Sequence, residues 1–163
     1  KLLLMKIQEQ ISDPETANEL SEKAFQLFFK ERNKVEFFPY VLDEIEKLAQ
    51  IYELGCLTNG NADIEMIGIG KFFKFNISSK DVNANKPNKN HFQKAVELLG
   101  ISKEEILHIG DHKINDMLGA ISYGVKALWF NPDKEDWDLD DIKKPSEFNS
   151  WQGVTEKIDN FYS

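Results

Sequence analysis

Cysteine is almost absent from this chain. Cys56 stands alone among 163 residues, so no internal disulfide can form, and a reducing compartment such as the cytoplasm is the expected setting. Positive charge is also scarce: 20 Lys and Arg face 28 Asp and Glu, a formal net charge of −8. Affinity for the phosphate backbone of DNA or RNA comes from clustered positive charge, so nucleic acid is not an expected partner. Long apolar runs are missing too. Nothing approaches the ~20 residues that cross a bilayer. The opening Leu2-Leu3-Leu4-Met5 is closed by Lys6, too short for the apolar part of a secretory signal, so no membrane partner is expected. Internal repeats, low-complexity tracts and Gly/Ser linkers are lacking. What is present is ordinary globular material, 41% hydrophobic with nine glycines, in about one domain's length of chain.

The first third reads as helix. Leu3, Leu4, Ile7 and Ile11 fall at helical spacing within and just after Lys1 to Gln10. Asp13-Pro14 then supplies an N-cap and a proline suited to the first helical position. From Glu15 to Glu31 an apolar stripe runs through Ala17, Leu20, Ala24, Leu27 and Phe28. Pro39 reopens a helix with Leu42, Ile45, Leu48 and Ala49 on its expected buried face. From Tyr52 the grammar changes to short strands alternating with helices. Strands are expected at Leu54–Thr58, Phe72–Ser78, Ile106–Ile109, Val125–Phe130 and, at an edge, Pro145–Asn149. Between them lie a short helix within Ala62–Ile69, a polar loop Ser79–Asn90, a helix with Phe92, Ala95, Val96, Leu98 and Leu99, and a short helix Asp116–Tyr123. Trp151, Val154, Ile158 and Phe161 mark a closing helix. Strands joined by crossover helices predict an α/β fold with a parallel sheet covered on both faces.

In open sheets of this kind ligands bind beyond the carboxyl ends of the strands. Three such places carry polar residues: Thr58-Asn59-Gly60, the loop with Lys86-Pro87, and Gly110-Asp111 through Asn115-Asp116. Together they suit phosphate chemistry. The Thr58 hydroxyl and the following backbone N–H groups can donate to phosphate oxygens, and Lys86 can neutralise charge on a transferring group. Asp111 ends a strand and Asp116 opens a helix, so both can face one hard cation such as Mg²⁺. Each piece has a plainer reading: Thr58 and Asn59 as turn formers, Lys86 as a solvated loop lysine, Asp116 as a helix-start carboxylate. The chain order of the three pieces favours the joint reading. Cys56 reads as inert packing in a buried strand. His91 opens a helix, His108 lies in a strand and His112 in a loop, and their spacing is not that of a zinc site.

This ordered set resembles the haloacid dehalogenase superfamily, in the subgroup with a helical cap inserted after the first strand. Leu57-Thr58-Asn59-Gly60-Asn61 looks like its second motif, Lys86-Pro87 its third, and Gly110-Asp111 to Asn115-Asp116 its fourth. Gly119-Ala120 and Gly124-Val125 also fall into place. Thr58 to Ala62, together with Ile67-Gly68-Ile69-Gly70-Lys71-Phe72-Phe73, is similar to the YigB-like branch of bacterial phosphatases. That branch is linked to flavin mononucleotide (FMN) and to the phosphorylated ribityl-aminouracil precursor of riboflavin. The resemblance implies a three-layer Rossmann-like core at residues 35–163, preceded by the remnant of a helical cap at residues 1–34. It also implies Mg²⁺-dependent hydrolysis of a small phosphorylated metabolite through an aspartyl-phosphate. Thr58, Asn59, Gly60 and Lys86 would bind the phosphate, with Thr58 and Lys86 acting in catalysis, and Asp111 and Asp116 would hold Mg²⁺.

One departure is large. The family's first motif, an Asp-x-Asp carrying the nucleophile, has no counterpart before Thr58. Only Asp13 and Asp43 precede it, both in helical contexts, and Asp138-x-Asp140 comes after the fourth motif. The expectation is therefore a chain that begins inside the cap, lacks the central strand between those ending at Thr58 and Asp111, and is inactive as it stands. The flanking strands would then close up or borrow a partner, and the sheet gap invites self-association. The alternatives are a 2-haloacid dehalogenase-like hydrolase, which does not need the paired metal carboxylates, and a non-catalytic phosphate-binding or receiver-like domain.

Overall fold

The computed structural model describes Lys6, Gln10, Ile11, residues 13–60 and residues 62–162, with backbone only at 160–162. The expected opening helix with Leu3, Leu4 and Ile7, the motif residue Asn61 and the side chain of Phe161 lie outside the described residues.

Helix α1, Pro14–Arg32, starts where the sequence predicts. The Asp13 carboxylate accepts from the Thr16 backbone N–H at 2.9 Å, Pro14 occupies the first turn, and Lys30 and Arg32 close the last one. Its stripe is another matter. Only Ala17 and Ser21 are buried, while Leu20, Leu27 and Phe28 stand at 44%, 63% and 52% exposure. Helix α2, Val41–Ile51, buries Val41, Glu44, Ile45 and Leu48. Leu42, expected inside, points out, because the face packed against the rest of the protein runs through Val41, Glu44, Ile45 and Leu48. Buried Glu44 accepts from Thr155 N at 2.9 Å and Thr155 Oγ1 at 2.7 Å, tying α2 to the first turn of the closing helix α7, Val154–Tyr162.

The strands are β1 (Gly55–Thr58), β2 (Phe75–Ser78), β3 (Leu107–Gly110), β4 (Lys126–Phe130) and β5 (Ser146–Phe148). All pairings are parallel: Gly55 opposite Phe75 through Thr58 opposite Ser78, Leu107 opposite Lys126, and Leu128 opposite Ser146. The connecting helices are α3 (Ile64–Ile67), α4 (Ser79–Val82), α5 (Asn90–Leu99) and α6 (Gly119–Tyr123). α4 falls in a stretch expected to be loop: Ser78 and Asp81 form a capping box that stabilises one turn. The expected helix Asp116–Tyr123 starts earlier, with a π-helical stretch Lys113–Leu118 leading into α6.

Strand β4 is buried from Ala127 to Phe130, and its alternating side chains divide the core. Leu128 and Phe130 pack with Leu48, Phe148, Val154 and Ile158 on one face. Ala127 and Trp129 pack with Phe92, Met117, Ala120 and Val125 on the other. Helices α2 and α7 thus cover one side and α5 and α6 the opposite side, giving the three layers. The one continuous sheet is not formed, however. β1 and β2 make a two-stranded sheet, β3, β4 and β5 a three-stranded one, and β1 and β3 do not pair. They have not closed up. A cavity of about 1110 Å³ lies between them, lined by Leu54 to Leu57 on one side and Ile106 to Asp111 on the other.

Candidate active site

The carboxyl ends of β1 and β3 meet at Lys86. Asn59, just past β1, clasps the Lys86 backbone with both ends of its amide: Oδ1 accepts from Lys86 N at 2.6 Å and Nδ2 donates to Lys86 O at 2.9 Å. An asparagine there matches one donor and one acceptor on a single peptide segment, which a lone turn former has no need to do. Held this way, Lys86 is 8% exposed and its ammonium donates to Leu57 O at 2.8 Å and to Asp116 Oδ1 at 2.6 Å. Lys86 is therefore not a solvated loop lysine. It is a buried cation whose charge is balanced by one carboxylate.

Asp116 sits in the π-helical turn after β3, 6% exposed. Besides Lys86 it accepts from His108 Nε2 at 3.0 Å on Oδ1 and from the His112 backbone N–H at 3.1 Å on Oδ2. Burial by itself would push this carboxyl up, but the His108 hydrogen bond and the charge and hydrogen bond of Lys86 outweigh it and hold it well below the usual carboxylate range. Gly110 makes the approach possible, since a Cβ there would lie 2.5 Å from Asp116 Cγ. Gly119, nine residues on, makes room for the Lys86-Pro87 loop: a Cβ would lie 3.1 Å from Pro87 Cα and press on the Phe92 ring. Gly110 of the fourth motif and Gly119 just after it thus let the Lys86-Pro87 loop and the Asp116 turn pack together.

Asp111 differs from its expected partner. It is exposed at the end of β3, and its backbone carbonyl, not its carboxylate, is anchored, by Trp129 Nε1 at 2.9 Å. Asp111, Asp116 and Lys86 line the same cavity between β1 and β3. Thr58 lies beside it at the end of β1, its hydroxyl accepting from Gly60 N at 3.0 Å and so shaping the turn. All of the predicted site residues except Asp111 are therefore joined by hydrogen bonds or share one turn, and Asp111 opens onto the same cavity. A second, polar cavity of about 580 Å³ around Asn131, Lys144 and Glu147 includes none of them.

Two residues were not singled out from the sequence. Arg32, the last residue of α1, reaches the turn after β1: a Cβ on Gly60 would lie 3.0 Å from its Nη2. Buried Asn33 accepts from Asp63 N at 2.8 Å and donates to Phe29 O at 2.8 Å, fixing α1 to the same loop. Their sequence signal is only adjacency to a helix end, since the loop they contact is about thirty residues away. Asn59 was placed in the phosphate turn, but its clasp on Lys86 needs the fold to be seen. His91 and His108 prove structural: His91 Nε2 donates to Thr58 O at 3.2 Å, and burial lowers the pKa of both rings, which keeps them neutral at pH 7. Exposed His112 instead caps the π-helical turn, its Nδ1 accepting from Ile114 and Asn115 N. Burial also raises the Cys56 thiol, leaving it protonated and unreactive at pH 7.

A parallel α/β sheet with a lysine and paired aspartates at its strand ends is the arrangement of a hydrolase of the haloacid dehalogenase type. The chain belongs to that family: residues 3–130 match the haloacid dehalogenase-like hydrolases. It is 34% identical over 115 residues to the 5-amino-6-(5-phospho-D-ribitylamino)uracil phosphatase YigB of Escherichia coli, covering 68% of this chain and 48% of that protein. It is 31% identical over 122 residues to a phosphoserine phosphatase of Thermus thermophilus, covering 71% of this chain and 47% of the relative. The chain thus spans about half the length of these curated relatives. Among solved structures, a 2-haloacid dehalogenase from Pseudomonas syringae superposes with a TM-score of 0.91 at 30% identity, over 98% of this chain and 69% of that one.

Proposed function

We propose that this chain carries the phosphate- and cation-binding half of a Mg²⁺-dependent phosphomonoesterase that works through an aspartyl-phosphate. The observation that carries the reading is the buried assembly of Leu57 O, Lys86 and Asp116, clasped by Asn59 and opening at Asp111. It places one fixed ammonium group where three strand-end segments meet, the geometry needed to hold a phosphoryl group in one orientation. Thr58, Asn59 and Gly60 supply a turn with backbone N–H groups beside it. Arg32 adds a second cation above that turn.

The donor set fits Mg²⁺, which takes one or two carboxylates and completes its shell with water and phosphate oxygens. Among the described residues no cluster of three or more His, Cys, Asp or Glu forms a metal cage. Asp111, exposed at the cavity, is the direct ligand in this reading, and Asp116 completes the pair from its buried position while holding Lys86. Mg²⁺ bound there supplies positive charge to the phosphoryl oxygens as negative charge develops on them. Lys86 serves the same oxygens from the protein side, and Asp116 keeps its ammonium in place. The attacking aspartate has no counterpart in this chain before Thr58, so the 163 residues alone hydrolyse nothing.

The substrate in this reading is a small phosphorylated metabolite, FMN or another riboflavin-pathway phosphate, supported by the similarity to YigB. Residues 1–34 belong to a cap, supported by the exposed apolar face of α1 and its attachment through Asn33. The dehalogenase reading draws on the Pseudomonas superposition, but Asp111 beside a buried Lys86–Asp116 pair favours a cation and an anion together. Calorimetric titration with Mg²⁺ and inorganic phosphate tests the reading: the two ligands should strengthen each other's binding. Robust Mg²⁺-dependent FMN turnover by the chain alone would contradict the inactivity, and halide release from 2-chloropropionate would favour the dehalogenase.

A further inference from the structure

The cavity onto which Lys86 and Asp111 open has an aromatic rim, built by the segment between α1 and α2. That segment starts at Asn33, which accepts from Asp63 N past the end of β1. It ends at Phe38, whose ring stands edge-on to Phe130 with centroids 5.0 Å apart. Phe130 is the last residue of β4, one step beyond Trp129, which lies opposite Gly110 at the end of β3. Residues 34–37 therefore pass from the carboxyl end of β1 to that of β4, across the space between β1 and β3. Val35, Phe37 and Phe38 line the same cavity as Lys86 and Asp111.

These side chains are not core. Val35, Phe37 and Phe38 are 45%, 36% and 54% exposed, and apolar side chains clustered on a surface mark binding sites. Phe38 is nonetheless held in place. Phe130, its neighbour, packs in turn with Phe148 and Trp151 at 5.1 and 5.7 Å. Pro39 and Tyr40 then make a tight turn, closed by Val41 N donating to Phe38 O at 3.2 Å. Tyr40 takes φ 69° there, a left-handed conformation that is strained for a bulky residue and persists only where the surrounding structure enforces it. The result is a ring anchored on one side and open to the cavity on another.

We infer that Phe37 and Phe38 form a subsite for the alcohol part of the substrate, selecting phosphomonoesters whose alcohol carries a planar aromatic ring over those of small aliphatic alcohols. The inference rests on the phosphatase reading, because the phosphate held at Lys86 and Asp111 is what brings the ring to the rim. Small-molecule sites join a few fixed polar groups to apolar and aromatic walls, and here both halves share one cavity. A ligand ring stacked offset or edge-on against an aromatic side chain gains roughly two- to tenfold in affinity beyond the area it buries. Glycerol phosphate has nothing to stack. The two phenylalanines thus decide which ester binds and take no part in how it is cleaved.

The test is calorimetric titration of the full 163-residue chain, in excess Mg²⁺, with FMN, glycerol 3-phosphate and inorganic phosphate. FMN should bind at least about tenfold more tightly than glycerol 3-phosphate. Phe37→Ala and Phe38→Ala should each shrink that ratio several-fold, and Phe38→Tyr, which keeps a ring, should restore it. The ratio is the readout because a variant that merely loosens the fold weakens both esters alike. Equal affinity for the two esters, equal loss of both in the alanine variants, or no FMN binding would each overturn the subsite. If inorganic phosphate and Mg²⁺ strengthen each other's binding while FMN gains nothing over glycerol 3-phosphate, the phosphatase reading stands and the subsite fails. If FMN shows the Phe38-dependent preference yet inorganic phosphate does not displace it, the ring subsite stands and the phosphatase reading fails.

Discussion

The two aspartates of the fourth motif should respond very unequally to mutation. Replacing Asp116 by Ala removes both oxygens that hold Lys86 Nζ, His108 Nε2 and the His112 backbone N–H. Lys86 is then an ammonium, 8% exposed, still donating to Leu57 O but with no carboxylate beside it. Breaking a buried ion pair from one side costs roughly 3–5 kcal/mol, because the surviving charge is left uncompensated. For a domain of this size that corresponds to a fall in melting temperature on the order of 10 °C. Asp111→Ala removes an exposed carboxylate, so its cost should stay within about 0.5 kcal/mol. Urea unfolding followed by far-UV circular dichroism at pH 7, in the absence of divalent ions, measures both. Equal losses, or a larger loss in Asp111→Ala, would refute the placement of Asp116 as the buried partner of Lys86. The double variant Asp116→Ala with Lys86→Met supplies an internal check: it should recover part of the lost stability, since the orphaned charge goes with the lysine.

Further outcomes follow from single contacts. Gly110→Ala puts a methyl group 2.5 Å from Asp116 Cγ, and overpacking of this kind costs about 1–3 kcal/mol; denaturant melts should show that loss together with weakened phosphate binding. Glu44 is held down at about 2 against an ordinary value of 4.5: burial opposes ionisation, but the hydrogen bond from Lys47 and those from Thr155 prevail. Because the folded-state value is depressed, the stability Glu44 contributes is complete above about pH 4.5 and disappears as pH falls towards 2. Glu44→Gln should therefore lose about 2 kcal/mol at pH 7, the scale of a charge-assisted hydrogen bond, and show a shallower acid limb in a pH series of thermal melts. Arg32→Ala should lower phosphate affinity several-fold in calorimetry while leaving the melting temperature unchanged, since the side chain is exposed.

Much of this was legible in the chain. Strands β1 to β4 announce themselves as short apolar runs ended by Asn-Gly, Ser-Ser, Gly-Asp and Asn-Pro, and parallel pairing follows from the helices between them. The three polar strand ends could be read together because topology brings carboxyl ends of parallel strands to one edge, whatever their separation in sequence. What could not be read is how each group is satisfied. Local pattern gives no sign that Asn59 clasps a backbone twenty-seven residues away, or that His108 faces Asp116. The π-helical start at Lys113 was missed because its hydrogen bonding is set by Asp116 turning inward under Gly110, a tertiary demand. The stripe of α1 failed as a guide to burial for a different reason. Periodicity reports which face seeks a partner, and among the described residues nothing covers Leu27 and Phe28. The gap between β1 and β3, by contrast, was expected from the missing first motif; what only the coordinates show is that the two strands keep the space open and do not close up.

The most direct measurement is the coupling between two small ligands on the full chain. Inorganic phosphate should be titrated calorimetrically with and without saturating Mg²⁺, in the wild type and in Asp111→Asn. The account predicts that Mg²⁺ tightens phosphate binding, that phosphate tightens Mg²⁺ binding by the same factor, and that both effects vanish in Asp111→Asn with the fold intact. Mg²⁺ and phosphate binding independently of each other, or an unchanged coupling in Asp111→Asn, would contradict a shared site at the carboxyl ends of β1 and β3.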